Sequence, residues 1–139
     1  MYLADTTFDL ISERDKIKRE LQQRGYVILP DQPLPSYNPD FEKVVQENLE
    51  RCKLSIHLIG ARYGMIPEEA DRSIVVLQNE LAIKHTQKYP EFQRLVWMPV
   101  GLQTQEPRQE ALLQSLQDEP NMLQTTLEET NRDRISLRR

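Results

Sequence analysis

Lys53-Leu-Ser-Ile-His-Leu-Ile-Gly60, Ala61-Arg-Tyr-Gly-Met-Ile-Pro67 and Ser73-Ile-Val-Val-Leu-Gln-Asn-Glu80-Leu-Ala82 are the stretches whose reading decides the fold. The first is a short, almost continuous apolar run, as in a strand buried on both faces. The second carries Gly64 and Pro67 and follows directly on Gly60, the chemistry of a loop. The third opens on a serine suited to capping and continues as a helix. Strand, loop and helix in this order bring one carboxylate, Glu80, back toward the strand's C-terminal end. In open α/β sheets that crevice is where ligands bind.

Working outward, the same alternation repeats. Tyr2-Leu-Ala4 reads as a clipped first strand. Thr6 or Thr7 can cap a following helix with Leu10, Ile17 and Leu21 on one face and Glu13–Lys16 and Asp15–Arg19 at ion-pair spacing. Gly25 sits where a left-handed helix end is expected. Tyr26-Val-Ile-Leu29 reads as a second strand, and prolines at 30, 33, 35 and 39 then keep the chain out of the sheet. Leu34 and Tyr37 become apolar groups on an exposed loop. Asn38-Pro39-Asp40 is a helix start with a capping amide and proline at the first helical position. Phe41, Val44, Val45, Leu49 and Cys52 form that helix's buried stripe.

Downstream, Arg94 to Pro99 reads as a strand and Pro107 to Leu116 as a helix. Asn121-Met-Leu-Gln124 reads as a short last strand, and Leu127 onward as a polar terminal helix anchored by Ile135 and Leu137. The pattern predicts an α/β fold: a flavodoxin-like, doubly wound, five-stranded parallel sheet with helices on both faces. Residues 1–139 form one domain, and the strand-like start predicts excision from a larger multidomain protein.

Composition narrows the function classes. With 38% hydrophobic and 29% charged residues the chain reads as soluble and globular. No apolar run approaches the ~20 residues of a membrane span, and the start lacks a signal peptide's pattern. A net charge of −4 argues against a broad nucleic-acid or anionic-membrane surface. The single cysteine, Cys52, excludes an internal disulfide and fits a reducing cytoplasm. Neither G-x-G-x-x-G nor G-x-x-x-x-G-K-[ST] is present. His57 and His85 lack ligand-spaced partners, so no metal site is expected. His57 reads as a hydrogen-bonded core histidine and Cys52 as a small core residue. Glu80 precedes Lys84 by four residues, the spacing of a surface ion pair. The surrounding apolar run argues instead for burial, and for chemistry on a glycosidic bond.

Tyr2 to Leu10, the proline-bearing loop, Ser55-Ile-His-Leu-Ile-Gly60, Tyr63-Gly64 and Ser73 through Glu80 together resemble a bacterial Toll/interleukin receptor (TIR) domain. The resemblance runs in order along nearly the whole chain. It implies that residues 30–39 are the family's mobile BB loop and that Glu80 is the catalytic glutamate. It further implies a substrate site drawn from Ala4, Asp5, Thr6, Pro33, Leu34, Gly60, Tyr63, Ser73 and Val76. Val76 stands where many members carry an aromatic residue. The implied activity is hydrolysis or cyclisation of NAD, which is the substrate, with no cofactor. Nicotinamide leaves as a neutral pyridine, so one carboxylate suffices where an O-glycoside usually needs two. The resemblance implies an effector of a bacterial immune or conflict system, self-assembled through the 30–39 loop and neighbouring helices and controlled by a sensor domain. Two other readings stand beside it: a non-catalytic self-association module, and an enzyme like the nucleoside deoxyribosyltransferases.

Overall fold

The structure is a computed structural model that describes residues 1–117 and the strand at 125–130. Its sheet is wholly parallel, with neighbours in the order β1 (Tyr2–Leu3), β2 (Leu54–Leu58), β3 (Gln93–Pro99) and β4 (Thr125–Thr130). Helices α1 (Ile11–Gln23), α2 (Asp40–Glu50), α3 (Ile74–Lys88) and α4 (Pro107–Gln117) fill the intervals. Because side chains alternate along a strand, each strand feeds two cores. Leu3, Ile56, Leu58, Leu95 and Trp97 pack with Leu10, Ile17 and Leu21 on the α1 face. On the other face Tyr2 and Ala4 pack with Phe41, Val45 and Leu49 of α2 and Leu77, Leu81 and Ala82 of α3. Val96 and Met98 join Ile59, Val75 and Leu116 in a separate cluster of that face.

The helices follow local chemistry. Ser73 caps α3 by accepting a hydrogen bond from the Val76 amide at 3.3 Å. Gly25 ends α1 at φ +89°, the left-handed conformation that favours glycine. The start of α1 differs from expectation. Thr7 precedes a short 3-10 turn, Phe8–Leu10, and makes no side-chain cap. The start of α2 also differs. The helix begins at Asp40 with Pro39 as its cap residue, the Asn38–Pro39 peptide is cis, and no side chain caps it.

Two expectations about the sheet and one about the proline loop are corrected. Tyr26–Leu29 makes a single parallel bridge, Leu29 to Tyr2, through Leu3 N to Leu29 O at 2.8 Å and Leu29 N to Met1 O at 2.9 Å. Leu3 O, the acceptor that the next amide of a parallel ladder would need, is taken by Arg14 Nη2 at 2.9 Å, and the sheet has four strands among the described residues rather than five. The last strand is Thr125–Thr130, where the start of a terminal helix was expected. Three threonines there outweigh the helix-favouring Leu127, Glu128 and Glu129, and pairing along the whole of β3 from Arg94 to Pro99 supplies the rest. The expected strand at 121–124 and the anchors Ile135 and Leu137 lie outside the described residues. Finally, the proline loop is not free. Asn38 N donates to Glu68 O and Glu68 N to Ser36 O, both at 2.8 Å, which ties the loop to the one before α3. Leu34 is half-buried against the Tyr2–Phe41 cluster instead of standing out, while Pro33 and Tyr37 are exposed.

Candidate functional site

The loops that follow β1 and β2 meet over the C-terminal edge of the sheet, and α3 supplies what joins them. Gln78 is fully buried in the first half of α3. Its Oε1 accepts from Tyr2 Oη at 2.6 Å and from the Asp5 amide at 2.9 Å, and its Nε2 donates to Asp5 O at 3.0 Å. One amide therefore clamps the end of β1 to the helix. From the opposite face Arg14 reaches the same turn, donating to Ala4 O at 3.1 Å and Leu3 O at 2.9 Å and lying 3.4 Å from the Asp5 carboxylate. Ala4 and Asp5 are thereby fixed at the edge, and Thr6 follows them with a buried hydroxyl that has no partner among the described residues. Burial, with Asp5 nearby, pushes the Tyr2 phenol well above its usual pKa, which keeps it a donor to Gln78.

The β2–α3 loop approaches closely from the side. A side chain on Gly60 would meet Leu10 Cδ1 at 3.0 Å and Asp9 Oδ2 at 3.1 Å. Gly64 has φ +95°, and a Cβ there would collide with Thr7 Cγ2 at 2.8 Å. Tyr63 is buried; its amide donates to Glu106 at 3.2 Å and its hydroxyl accepts from the Ser73 amide at 3.4 Å. The Arg108 guanidinium lies 4.6 Å above the Tyr63 ring and donates to Asp71 O. Gly60, Tyr63 and Ser73 thus form one connected wall, with Thr104 pinning Ala61 O at 2.6 Å from the far side.

Glu80 stands apart from that wall. Gln78, Leu81 and Ala82 face the sheet, which leaves Glu80 on the outer stripe of α3 with Lys84. Its carboxylate pairs with Arg72, the residue just before the helix cap, and 37% of the side chain remains exposed. The sequence spacing suggested Lys84 as partner. The loop instead folds Arg72 back along the helix, and the hydrogen bond to Glu80 raises the Arg72 pKa further. Glu80 is thus half-buried, partly covered by its neighbours and partly open to solvent. Val76 is buried, one turn earlier on the same stripe. Pro33 and Leu34 make no hydrogen bond to any of these groups among the described residues.

Beneath α3 lies a polar row that the sequence reading largely passed over. Ser55 is registered against Tyr2 on one side and Arg94 on the other, and all three are fully buried. Arg94 Nη1 donates to Asn79 Oδ1, so the residue before Glu80 is held from the sheet. His57 Nε2 lies 2.9 Å from Ser55 Oγ, in keeping with the expected core histidine. Burial, reinforced by the Arg94 charge, lowers its pKa to about 3, so the ring is neutral at physiological pH. Gln78, Asn79 and Arg94 had one signal in the sequence: polar residues inside otherwise apolar stretches, Ile74–Ala82 and Leu95–Met98 with its leading Arg94. Among the described residues no group of three or more His, Cys, Asp or Glu converges on a point, and no helix is long and apolar enough to cross a membrane. No family model matches the chain, and neither curated proteins nor solved structures give a significant match.

Proposed function

We propose that this chain is a TIR-like domain that cleaves the nicotinamide–ribose bond of NAD, with Glu80 as the catalytic carboxylate. The observation that carries the reading is the geometry of the sheet edge. If the Leu29 segment counts as a strand, the sheet order by sequence is second, first, third, fourth, fifth, a flavodoxin-like winding. The winding reverses at β1, and ligands in such sheets sit beyond the C-terminal ends of the strands at the reversal. The loops meeting there are those of Asp5 and of Gly60–Tyr63, and the helix that clamps them carries Glu80.

In this mechanism the C1′–N bond breaks and its electron pair returns to the pyridinium ring, neutralising the leaving nicotinamide. Glu80 stabilises the cation left on the ribose, and water adds at C1′ and releases a proton to solvent. Cyclisation replaces water by a nucleophile of the adenine ring. Arg72 must release Glu80 for the carboxylate to act, and the negatively charged diphosphate of NAD is suited to receive the guanidinium. Self-association through the 30–39 loop brings a second surface over an otherwise open edge, and a sensor domain in a longer cytoplasmic protein sets when that occurs.

Nicotinamide release from NAD, followed at high protein concentration, tests the proposal. Glu80→Gln should lower the rate by about a hundredfold or more, the scale of losing one preorganised electrostatic group. Its folding stability should move by less than about 1 kcal/mol, because the pair with Arg72 is exposed. Equal rates in the two proteins would remove Glu80 from the chemistry. Base release from deoxynucleosides but not from NAD would point to transfer between nucleosides. The exposed ion pair favours a second reading, a non-catalytic self-association module in which Glu80 only ties down the loop before α3. Absence of turnover even under crowding, with concentration-dependent association intact, would select it.

A further inference from the structure

At the opposite end of the sheet, where the strands begin, lies a cavity of about 460 Å3 lined by Met1, Tyr26, Arg51, Cys52, Lys53, Leu54, Glu91 and Gln93. None of the residues of the proposed catalytic edge contributes to it. Its walls are the segments that lead into successive strands. Arg51 to Lys53 runs into β2, Glu91 into β3, and Tyr26 leads to the Leu29 bridge. Gln93 N donates to Lys53 O at 3.2 Å, which fixes two of these segments side by side. The volume falls within the roughly 300–1,000 Å3 of small-molecule sites.

The chemistry of the lining is uneven. Arg51 and Lys53 are two residues apart, exposed, and in no ion pair among the described residues. Glu91 is the single acid in the wall, and it too has no ion pair among the described residues. Among the lining side chains two cations stand against one anion, a positive balance in a chain whose net charge is −4. Tyr26 offers a half-exposed ring, Gln93 a free amide, and Met1, Cys52 and Leu54 an apolar floor. Paired cations, a ring to stack on and an amide to read a polar edge are the features that hold a phosphate joined to a planar base.

We propose that this cavity is a second ligand site, and that it takes a nucleoside monophosphate, with the phosphate on Arg51 and Lys53 and the base against Tyr26. The site is independent of the Glu80 chemistry and stands whether or not the chain cleaves NAD.

Cys52 makes the test direct. It is the only cysteine in the chain and lies in the cavity wall, half-buried, so its alkylation reports occupancy of this cavity alone. Burial raises its pKa, so labelling is run at alkaline pH. AMP should slow labelling in a saturable way. Arg51→Gln with Lys53→Gln should weaken that protection by about tenfold or more, and Tyr26→Ala by a similar factor. Adenosine and inorganic phosphate, at the concentration where AMP protects, should each do much less. Protection by phosphate equal to that by AMP would overturn the nucleotide assignment, and equal protection by adenosine would overturn the role of the two cations. Labelling unchanged at about 10 mM AMP would overturn the site itself.

Discussion

The two faces of the central strands are built on different physics. Toward α1, β2 presents Leu54, Ile56 and Leu58 and β3 presents Leu95 and Trp97, all of them apolar. Toward α3 the same strands set Ser55, His57 and Arg94 among the apolar Val96 and Met98, and Tyr2 of β1 adds its hydroxyl. The apolar face contributes stability in proportion to area and tolerates sliding, since one methyl contact resembles another. The polar row on the other face adds little net energy to the apolar contacts around it, because each hydrogen bond replaces one with water, yet it admits a single arrangement. Gln78 and Asn79 of α3 each have a specific partner below, so the rotation of α3 is set, and with it the direction in which Glu80 leaves the helix. Buried area is used to hold the domain together, and buried polarity to aim one helix.

The largest expected effect breaks the apolar side. Trp97→Ala should cost about 3–5 kcal/mol in urea unfolding, because a fully buried ring leaves a cavity that its neighbours fill only in part. On the polar side, Arg94→Met should cost about 2–3 kcal/mol, much of it from leaving Asn79 without its donor. The sharper measurement is the pair. Arg94→Met with Asn79→Leu should cost less than the sum of the two single changes by about 1 kcal/mol or more, since removing both partners leaves nothing unsatisfied between them. Additive losses would mean that the two residues act separately and that α3 is not aimed from the sheet.

His57 distinguishes the faces by pH. Its folded pKa, about 3, lies below the unfolded value near 6.5. Between those values the unfolded chain binds a proton that the folded chain refuses, so stability falls as pH drops from 6.5 toward 3 and is unaffected above that window. The contribution is roughly 2–3 kcal/mol by pH 4.5, at about 1.4 kcal/mol per pH unit. His57→Gln should flatten that slope in a pH series of chemical melts, whereas a substitution confined to the apolar face, such as Ile56→Val, should leave it unchanged. Ser73→Ala gives the smallest effect. Loss of the α3 cap should cost about 1 kcal/mol. If the polar row and not the cap aims the helix, any turnover by Glu80 should change little in this variant.

Much of the architecture was legible in the sequence. The helix opened by Ser73 and the strands at Leu54 and Arg94 occur where periodicity and turn residues placed them, because burial pattern and capping are local properties. The misses share a cause. Thr125–Thr130 has a mixed local preference, and a strand forms because β3 offers an edge to pair with. Tyr26–Leu29 has strong local preference, and the ladder stops after one bridge where Arg14, distant in sequence, takes the next acceptor, Leu3 O. Leu34 read as exposed because nothing nearby in sequence showed that Tyr2 and Phe41 would shelter it.

At the candidate site the division is sharper. From the sequence alone came the residue types: a carboxylate on the helix after a buried strand, glycines in the preceding loop and a serine to start the helix. Those follow from intervals of one to eight residues, over which backbone geometry fixes what is near what. Only the tertiary structure decided that Glu80 meets Arg72 rather than Lys84, that Gln78 joins Tyr2 and Asp5 across more than seventy residues, and that Arg94 holds Asn79 from below. A charged or amide group finds its partner by where the packed elements bring it, and chain distance carries no information about that once a sheet has folded between them.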